Sequence, residues 1–275
     1  MKLSSAIVGT EAGPIEQVID ARWLMAYSAA LGETDPRYFD TTVPAGVLAH
    51  PLFSVCYEWP LALALRERAG LMVVFGRVVH ADHDLVVVRP PRAGDVLQVR
   101  ARIVAVRNRK PGAYVLTRIE ASDAAGAPVT RSDYGSLYRG VALEGADAGA
   151  VEELAAVAGE FEPVGEVAVP ANAAHVYTEC ARIWNPIHTD LAQARAAGLP
   201  GIILHGTATL AFSLSRVLAA LGIEPARVRR VRCRFSGMVP MPATLSVRVA
   251  RDKDALRFEA WCGGQAVLSS GLLLQ

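Results

Sequence analysis

Cysteine is scarce and scattered: Cys56, Cys180, Cys233 and Cys262 are spread through 275 residues without C-x-x-C spacing. That argues against a disulfide scaffold and a thiolate metal site, and it predicts buried thiols in a reducing compartment. Charge is sparse too. Charged residues make up 20% of the chain and leave a net +1, so no general attraction to nucleic acid or to an anionic membrane is expected. No apolar run approaches the roughly 20 residues of a membrane span. The opening MKLSSAIVGTEAGPIEQVID has one lysine and lacks the apolar core of a signal sequence. These absences predict a cytoplasmic protein. No phosphate-binding glycine loop, nucleophile elbow or dinucleotide fingerprint occurs either, and no cofactor is expected.

Apolar residues are plentiful, at 52% of the chain, enough for a large core. The most informative feature is an internal repeat. Tyr177 to Ala211 reads YTECARIWNPIHTDLAQARAAGLPGIILHGTATLA, and Tyr27 to Val55 reads YSAALGETDPRYFDTTVPAGVLAHPLFSV. Tyr27 matches Tyr177 and Pro36 matches Pro186, both 150 residues apart, while His50 answers His205 after five extra residues. His188 follows the second proline where Tyr38 follows the first. A duplicated unit with one chemically equipped copy predicts a fused dimer with a single working site.

The repeat divides the chain into a first unit (1–142) with a degenerate site, a linker (143–160) and a second unit (161–275). Each half runs in the same order. An amphipathic helix (Asp20 to Leu31; Ala171 to Ala181) leads into the proline loop. An apolar helix follows (Pro51 to Ala69; Gly206 to Leu221), then alternating strands such as Val96 to Val106 and Leu245 to Val249. The Ala-, Gly- and acid-rich stretch Val141 to Phe161 is expected to lack strands and to be partly helical. The helix TATLAFSLSRVLAAL is apolar on nearly every face, so it must be surrounded. A sheet curled around it does this, and two such sheets pairing edge to edge also satisfy their open edges. The expected class is α+β.

The segments N-P-I-H-T-D and A-G-L-P-G-I-I-L-H-G, with Gly206 eighteen residues after His188, resemble the MaoC-like dehydratases and (R)-specific enoyl-CoA hydratases in their fused form. The resemblance implies a double hotdog fold, two long helices each wrapped by an antiparallel sheet. It also implies an acyl thioester of coenzyme A or of acyl carrier protein as substrate. Carrier protein, a homodimer and a hetero-oligomer are the partners it suggests. In that family an S-G-D-x-N-P-L-H run supplies an acid and a base. Its histidine, proline and asparagine carry over to His188, Pro186 and Asn185. Its aspartate falls on Ile183, and Ala181 and Arg182 replace its serine and glycine. An aliphatic side chain cannot shuttle a proton.

The residues themselves allow most of the chemistry. His188 can act as base or acid because imidazole titrates near neutrality. If the apolar helix starts at Gly206, its unpaired N–H faces a thioester carbonyl, and the resemblance makes it the oxyanion donor. Ile183, Asn185, His205 and Thr207 are candidates for contact with substrate. Asn185 is also read as holding its loop through local backbone bonds, and His205, matched by His50, as a packing residue. Asp190 is expected to cap the helix after it. Glu33, at the position equivalent to Ile183, is expected to face solvent, Glu179 to face away and Tyr177 to pack. In His80-Ala81-Asp82-His83-Asp84, strand alternation sets His83 opposite to His80, against a metal site. The arginines at 227, 229, 230, 232 and 234 read equally as a solvated strand edge or as a clamp on phosphates.

A hydratase or dehydratase is the leading reading, with the first half walling the acyl pocket, small residues at Ala45-Gly46-Val47 leaving room for it. Intramolecular ring closure on an enoyl thioester in a drier pocket is the second. A non-catalytic acyl-binding or partner subunit is the third.

Overall fold

The computed structural model describes the whole chain except residues 154–158 and 253–254. The first half contains strands β1 (Lys2–Ser4) and β2 (Glu11–Val18), helices α1 (Ala21–Ala30) and α2 (Ser54–Arg68), and strands β3 (Val78–Val87), β4 (Val96–Arg109), β5 (Gly112–Ser122) and β6 (Pro128–Arg139). Short strands β7 (Ala142–Glu144) and β8 (Ala148–Gly149) follow. The second half has β9 (Glu162–Val169), α3 (Ala173–Ala181), α4 (Leu191–Ala196), α5 (Gly206–Leu221), β10 (Arg230–Phe235), β11 (Ala243–Asp252), β12 (Ala255–Cys262) and β13 (Gln265–Leu274).

Apart from the β1–β7 pair, the strands join in one sheet ordered β2-β4-β5-β6-β3-β10-β13-β12-β11-β9, with β8 added beside β4. The two halves meet at the antiparallel pair β3–β10. Each half wraps its long helix. On α5, Ala208 to Leu214, Val217 and Leu218 are all buried, as all-round apolarity demands. This is the double hotdog fold of the α+β class.

Pseudo-symmetry shows in the core. α1 packs on α3, the hydroxyls of Tyr27 and Tyr177 meet at 3.4 Å, and Trp23 Nε1 donates to the Cys180 carbonyl at 3.1 Å. Tyr177 therefore packs, as expected. At the C-terminal end of α3, Arg182 has φ +58°, as Gly32 has φ +73° in the first copy. The turn needs the left-handed region, where a side chain costs about 1 kcal/mol. The Arg182 guanidinium, 4.0 Å above the Trp23 ring, returns part of that cost.

Three expectations are corrected. The stretch after β6 is not free of strands: β7 pairs with β1 and β8 with β4, while residues 154–158 of the supposed linker lie outside the described residues. The arginine run is not a sheet edge, because β10 lies between β3 and β13. Arg230 grips Asp84 with Nε and Nη2 at 2.8 and 2.6 Å, and Arg232 bonds Glu152, which fastens the connecting segment across the seam. These two arginines are occupied, so they do not form a phosphate clamp. Asp84→Ala leaves both cations without their shared carboxylate in a largely buried seam. It should cost about 2–3 kcal/mol, read from the urea midpoint, and an unchanged midpoint would refute this role for the seam.

The third correction concerns His80 and His83. Pairing slips between His80↔Ser136 and Asp82↔Gly135, so Ala81 is an extra residue in β3. The bulge puts both imidazoles on one face, their centroids 5.4 Å apart. Gly135 permits this, since a Cβ there would overlap the Asp82 carboxylate. Alternation alone cannot reveal a bulge.

Candidate active site

The N-P-I-H sequence forms a single 3-10 turn, Pro186–His188, entered through extended Asn185. Proline at the first position suits such a turn because its φ is already set. The turn buries His188 to 9% exposure and directs its Nδ1 to the Ile203 carbonyl at 2.8 Å. A carbonyl only accepts, so Nδ1 carries the hydrogen and neutral His188 presents a lone pair at Nε2. Burial lowers its pKa to about 4 against the opposing effect of the Ile203 carbonyl. The imidazole is therefore neutral at physiological pH.

His188 stacks on His205 with centroids 3.7 Å apart, and His205 immediately precedes α5. The base and the helix tip therefore adjoin. His205 is the N-cap residue and supplies no side-chain bond to the helix; its carbonyl accepts from Thr209 N at 2.9 Å. The N–H groups of Gly206, Thr207 and Ala208 consequently have no acceptor within the helix. Gly206 and Thr207 are only half-buried. An uncapped, reachable helix N-terminus favours a developing negative charge.

The remaining predicted residues take different parts. His205 is 2% exposed, bonds Thr178 Oγ1 through Nε2 at 3.2 Å, and is kept neutral first by burial and then by His188. It supports the His188 ring. The Thr207 hydroxyl accepts from Tyr177 at 3.1 Å, which ties the helix tip to the pseudo-axis. Ile183 is buried at 5% and places hydrocarbon where the resemblance expects an acid. Asn185 makes no side-chain capping bond, unlike its counterpart Asp35, whose Oδ1 accepts from Arg37 N at 2.9 Å. The reading of Asn185 as a local loop clamp is corrected accordingly. Its side chain lines a groove of about 320 Å³ with Thr178, Glu179 and Trp184. Glu179 is exposed on that groove, which neither Ile183, His188 nor Gly206 lines. Asp190 caps α4 through Ala192 N and Gln193 N, as expected.

The first half shows why it carries no matching site. Pro51 stands where Gly206 stands in the second copy and offers no N–H. The next amides are spent locally, Leu52 N on His50 Nδ1 and Phe53 N on the His50 carbonyl. Glu33 does not project into solvent. It accepts from Ser215 Oγ on α5, which also meets His50 Nε2 at 3.1 Å, and burial raises its pKa. That chain ties the first loop to the second half's helix. Among the described residues no cluster suited to a metal ion occurs.

Sequence reasoning missed Phe235. A Cβ built on Gly206 would lie 3.2 Å from two of its ring carbons, so the ring forms the wall beside the helix tip. Gly206→Ala should therefore push Phe235 aside and lower kcat/KM about tenfold, with little change in melting temperature. A variant as active as the native protein would show that this close approach is dispensable.

Comparison with known proteins agrees with this architecture. A MaoC-like domain model matches residues 155–269, and a FAS1-like dehydratase region matches residues 6–132. Fatty acid synthase subunit beta of Aspergillus oryzae is 41% identical over 96 residues, 34% of this chain and 4% of that protein. Peroxisomal multifunctional enzyme type 2 of Drosophila melanogaster is 28% identical over 194 residues, 68% of this chain and 32% of that enzyme. The chain thus spans a small part of either. The solved MaoC-like dehydratase of Phytophthora capsici superposes with a TM-score of 0.85 at 20% identity, covering 98% of this chain and 96% of its own. The second half of the chain thus carries a MaoC-like domain and the first half a FAS1-like dehydratase region, on a fold shared with solved MaoC-like dehydratases.

Proposed function

We propose that this chain is a hydro-lyase that interconverts 2-enoyl and 3-hydroxyacyl thioesters of coenzyme A or acyl carrier protein. One observation carries the reading: neutral His188, its Nδ1 committed to Ile203, stacks on His205, the residue that immediately precedes the uncapped N-terminus of α5 at Gly206. The base and the oxyanion donor that conjugate addition requires are thereby adjacent. The relatives' names, a fatty acid synthase subunit and a multifunctional peroxisomal enzyme, support the same substrate class.

In hydration, His188 Nε2 takes a proton from water as its oxygen bonds to C3. The C2–C3 π electrons move onto C2 and the thioester oxygen, giving an enolate held by Gly206 N–H. The imidazolium then returns the proton to C2 and the carbonyl re-forms, for a net addition of one water. In reverse, Nε2 removes the C2 proton and the imidazolium delivers it to the departing 3-hydroxyl. One imidazole serves both steps, which suits a site with Ile183 in place of a second acid.

Crotonyl-CoA and longer 2-enoyl-CoA thioesters, followed by mass spectrometry, test this directly. Native protein should form the 3-hydroxyacyl products, and Ile183→Asp should raise the rate by supplying a second proton carrier. Hydration seen only in Ile183→Asp would overturn the one-imidazole mechanism. The apolar burial of Ile183 favours one second reading, in which a hydroxyl of the substrate replaces water and closes a ring. A product isobaric with its enoyl precursor would identify that reaction.

A further inference from the structure

Behind Phe235 lies a group of polar side chains that the proposed reaction does not use. Phe235 touches the Gly206 position on one side and the His80 ring on the other, at a centroid distance of 4.6 Å. His80 stacks on Tyr134 at 4.9 Å, and His83, wholly buried, meets the same ring edge-on at 4.7 Å. His80 Nε2 and both ring nitrogens of His83 are buried with no hydrogen-bond partner among the described residues. The neighbouring polar groups are already engaged. Tyr134 donates its hydroxyl to Glu58 Oε2 and Ser132 donates to Oε1, each at 2.7 Å.

An unpaired buried polar atom costs about 1–3 kcal/mol. Three on two adjacent rings are costly enough to point to a ligand group that satisfies them. Its chemistry follows from the surroundings. Burial keeps both imidazoles neutral, His83 at about 4, so together the rings offer donors and acceptors but no charge. Glu58, reached through Tyr134, and Arg66 border the rings with opposite signs, and Asp84 and Asp133 are matched by Arg230 and Arg118, so the surroundings favour neither charge and a charged group would lose its hydration uncompensated. A neutral group that both donates and accepts, a hydroxyl, is what fits.

We infer that His80 and His83 form the polar end of the acyl pocket and that the thioester turned over here carries a hydroxyl on its chain beyond the reacting carbons. This rests on the hydro-lyase reading and narrows its substrate. Phe235 stands between these rings and Gly206. It ends β10 half-buried and is followed by exposed Ser236 and Gly237.

Equilibrium binding tests the inference apart from catalysis. Octanoyl-CoA and its 5-, 6-, 7- and 8-hydroxy derivatives are saturated at C2–C3, so titration calorimetry reads affinity alone. At least one hydroxy isomer should bind native protein tenfold or more tighter than octanoyl-CoA. His83→Leu or His80→Leu should abolish that preference while binding octanoyl-CoA at least as well. Equal affinity for all five ligands would overturn the inference, as would a preference that survives both substitutions. Those nitrogens would then hold buried water only. The native comparison decides even if a variant fails to fold. Turnover of the matching 2-enoyl thioesters is measured in parallel. Hydration without preference sinks this inference and leaves the hydro-lyase reading standing, whereas preferential binding without turnover overturns the hydro-lyase reading and leaves only a hydroxyl-accepting site at His80 and His83.

Discussion

His188→Gln should lower kcat/KM for enoyl-thioester hydration by a factor of about 10²–10⁴, the usual contribution of a positioned general base. Glutamine can still donate to the Ile203 carbonyl, so the loop and the packing against His205 should survive. The loss then reports the missing Nε2 lone pair rather than a collapsed turn. The pH profile gives a second signature. A base must be unprotonated to act, and burial holds His188 at about 4. The acid limb of kcat/KM should therefore fall near pH 4 rather than near the ordinary imidazole value of 6.5, with a plateau up to neutrality. Full activity in His188→Gln would refute the mechanism, and an acid limb at 6.5 would show that the ring is wetter than its burial implies.

Acidification from pH 6.5 toward 4 should drain the stability of the fold. Five interior histidines, His50, His80, His83, His188 and His205, have pKa values depressed chiefly by burial, to about 3 for His50 and about 4 for His83 and His188. The unfolded chain takes up protons at 6.5, the folded chain only far lower. Their contribution is complete above 6.5 and is lost as the pH falls toward the folded values. Three carboxyls oppose them. Burial raises Glu33, Glu58 and Asp82, Glu58 to about 7. Their contribution is complete below the unfolded carboxyl range and is lost as the pH rises through the folded values. The five histidines outnumber the three carboxyls, so in this window the unfolded chain binds more protons than the folded one and stability falls with the pH. Urea midpoints at pH 7.5 and 5.5 measure this, and midpoints that coincide would contradict it.

The legible and illegible parts of this molecule divide by range. The N-P-I-H turn could be read directly because its geometry is local: a proline sets φ and the histidine follows on the same turn. Gly206 at the start of α5 could be read from the change to unbroken apolar residues. Arg182 replaces a glycine whose left-handed conformation it adopts, and only the backbone reveals that. His80 and His83 were assigned to opposite faces because alternation has no way to signal an extra residue at Ala81. The Glu33–Ser215–His50 chain joins residues 182 and 165 positions apart, and nothing near Glu33 marks Ser215 as its partner. Arg230 and Arg232 looked like an edge because a strand's rank in a sheet depends on which other strands pair with it.

The amino-acid order alone established the duplication, the two apolar helices that had to be wrapped, and a single imidazole next to a glycine-led helix. Period, turn chemistry and spacing are properties of neighbouring residues, so they survive being read along a line. Folding decided which nitrogen of His188 is free, which ring lies on Gly206, and which buried imidazole nitrogens lack a partner among the described residues. Each of these depends on groups brought together across the sheet or between the halves, where burial and hydrogen bonding act through space.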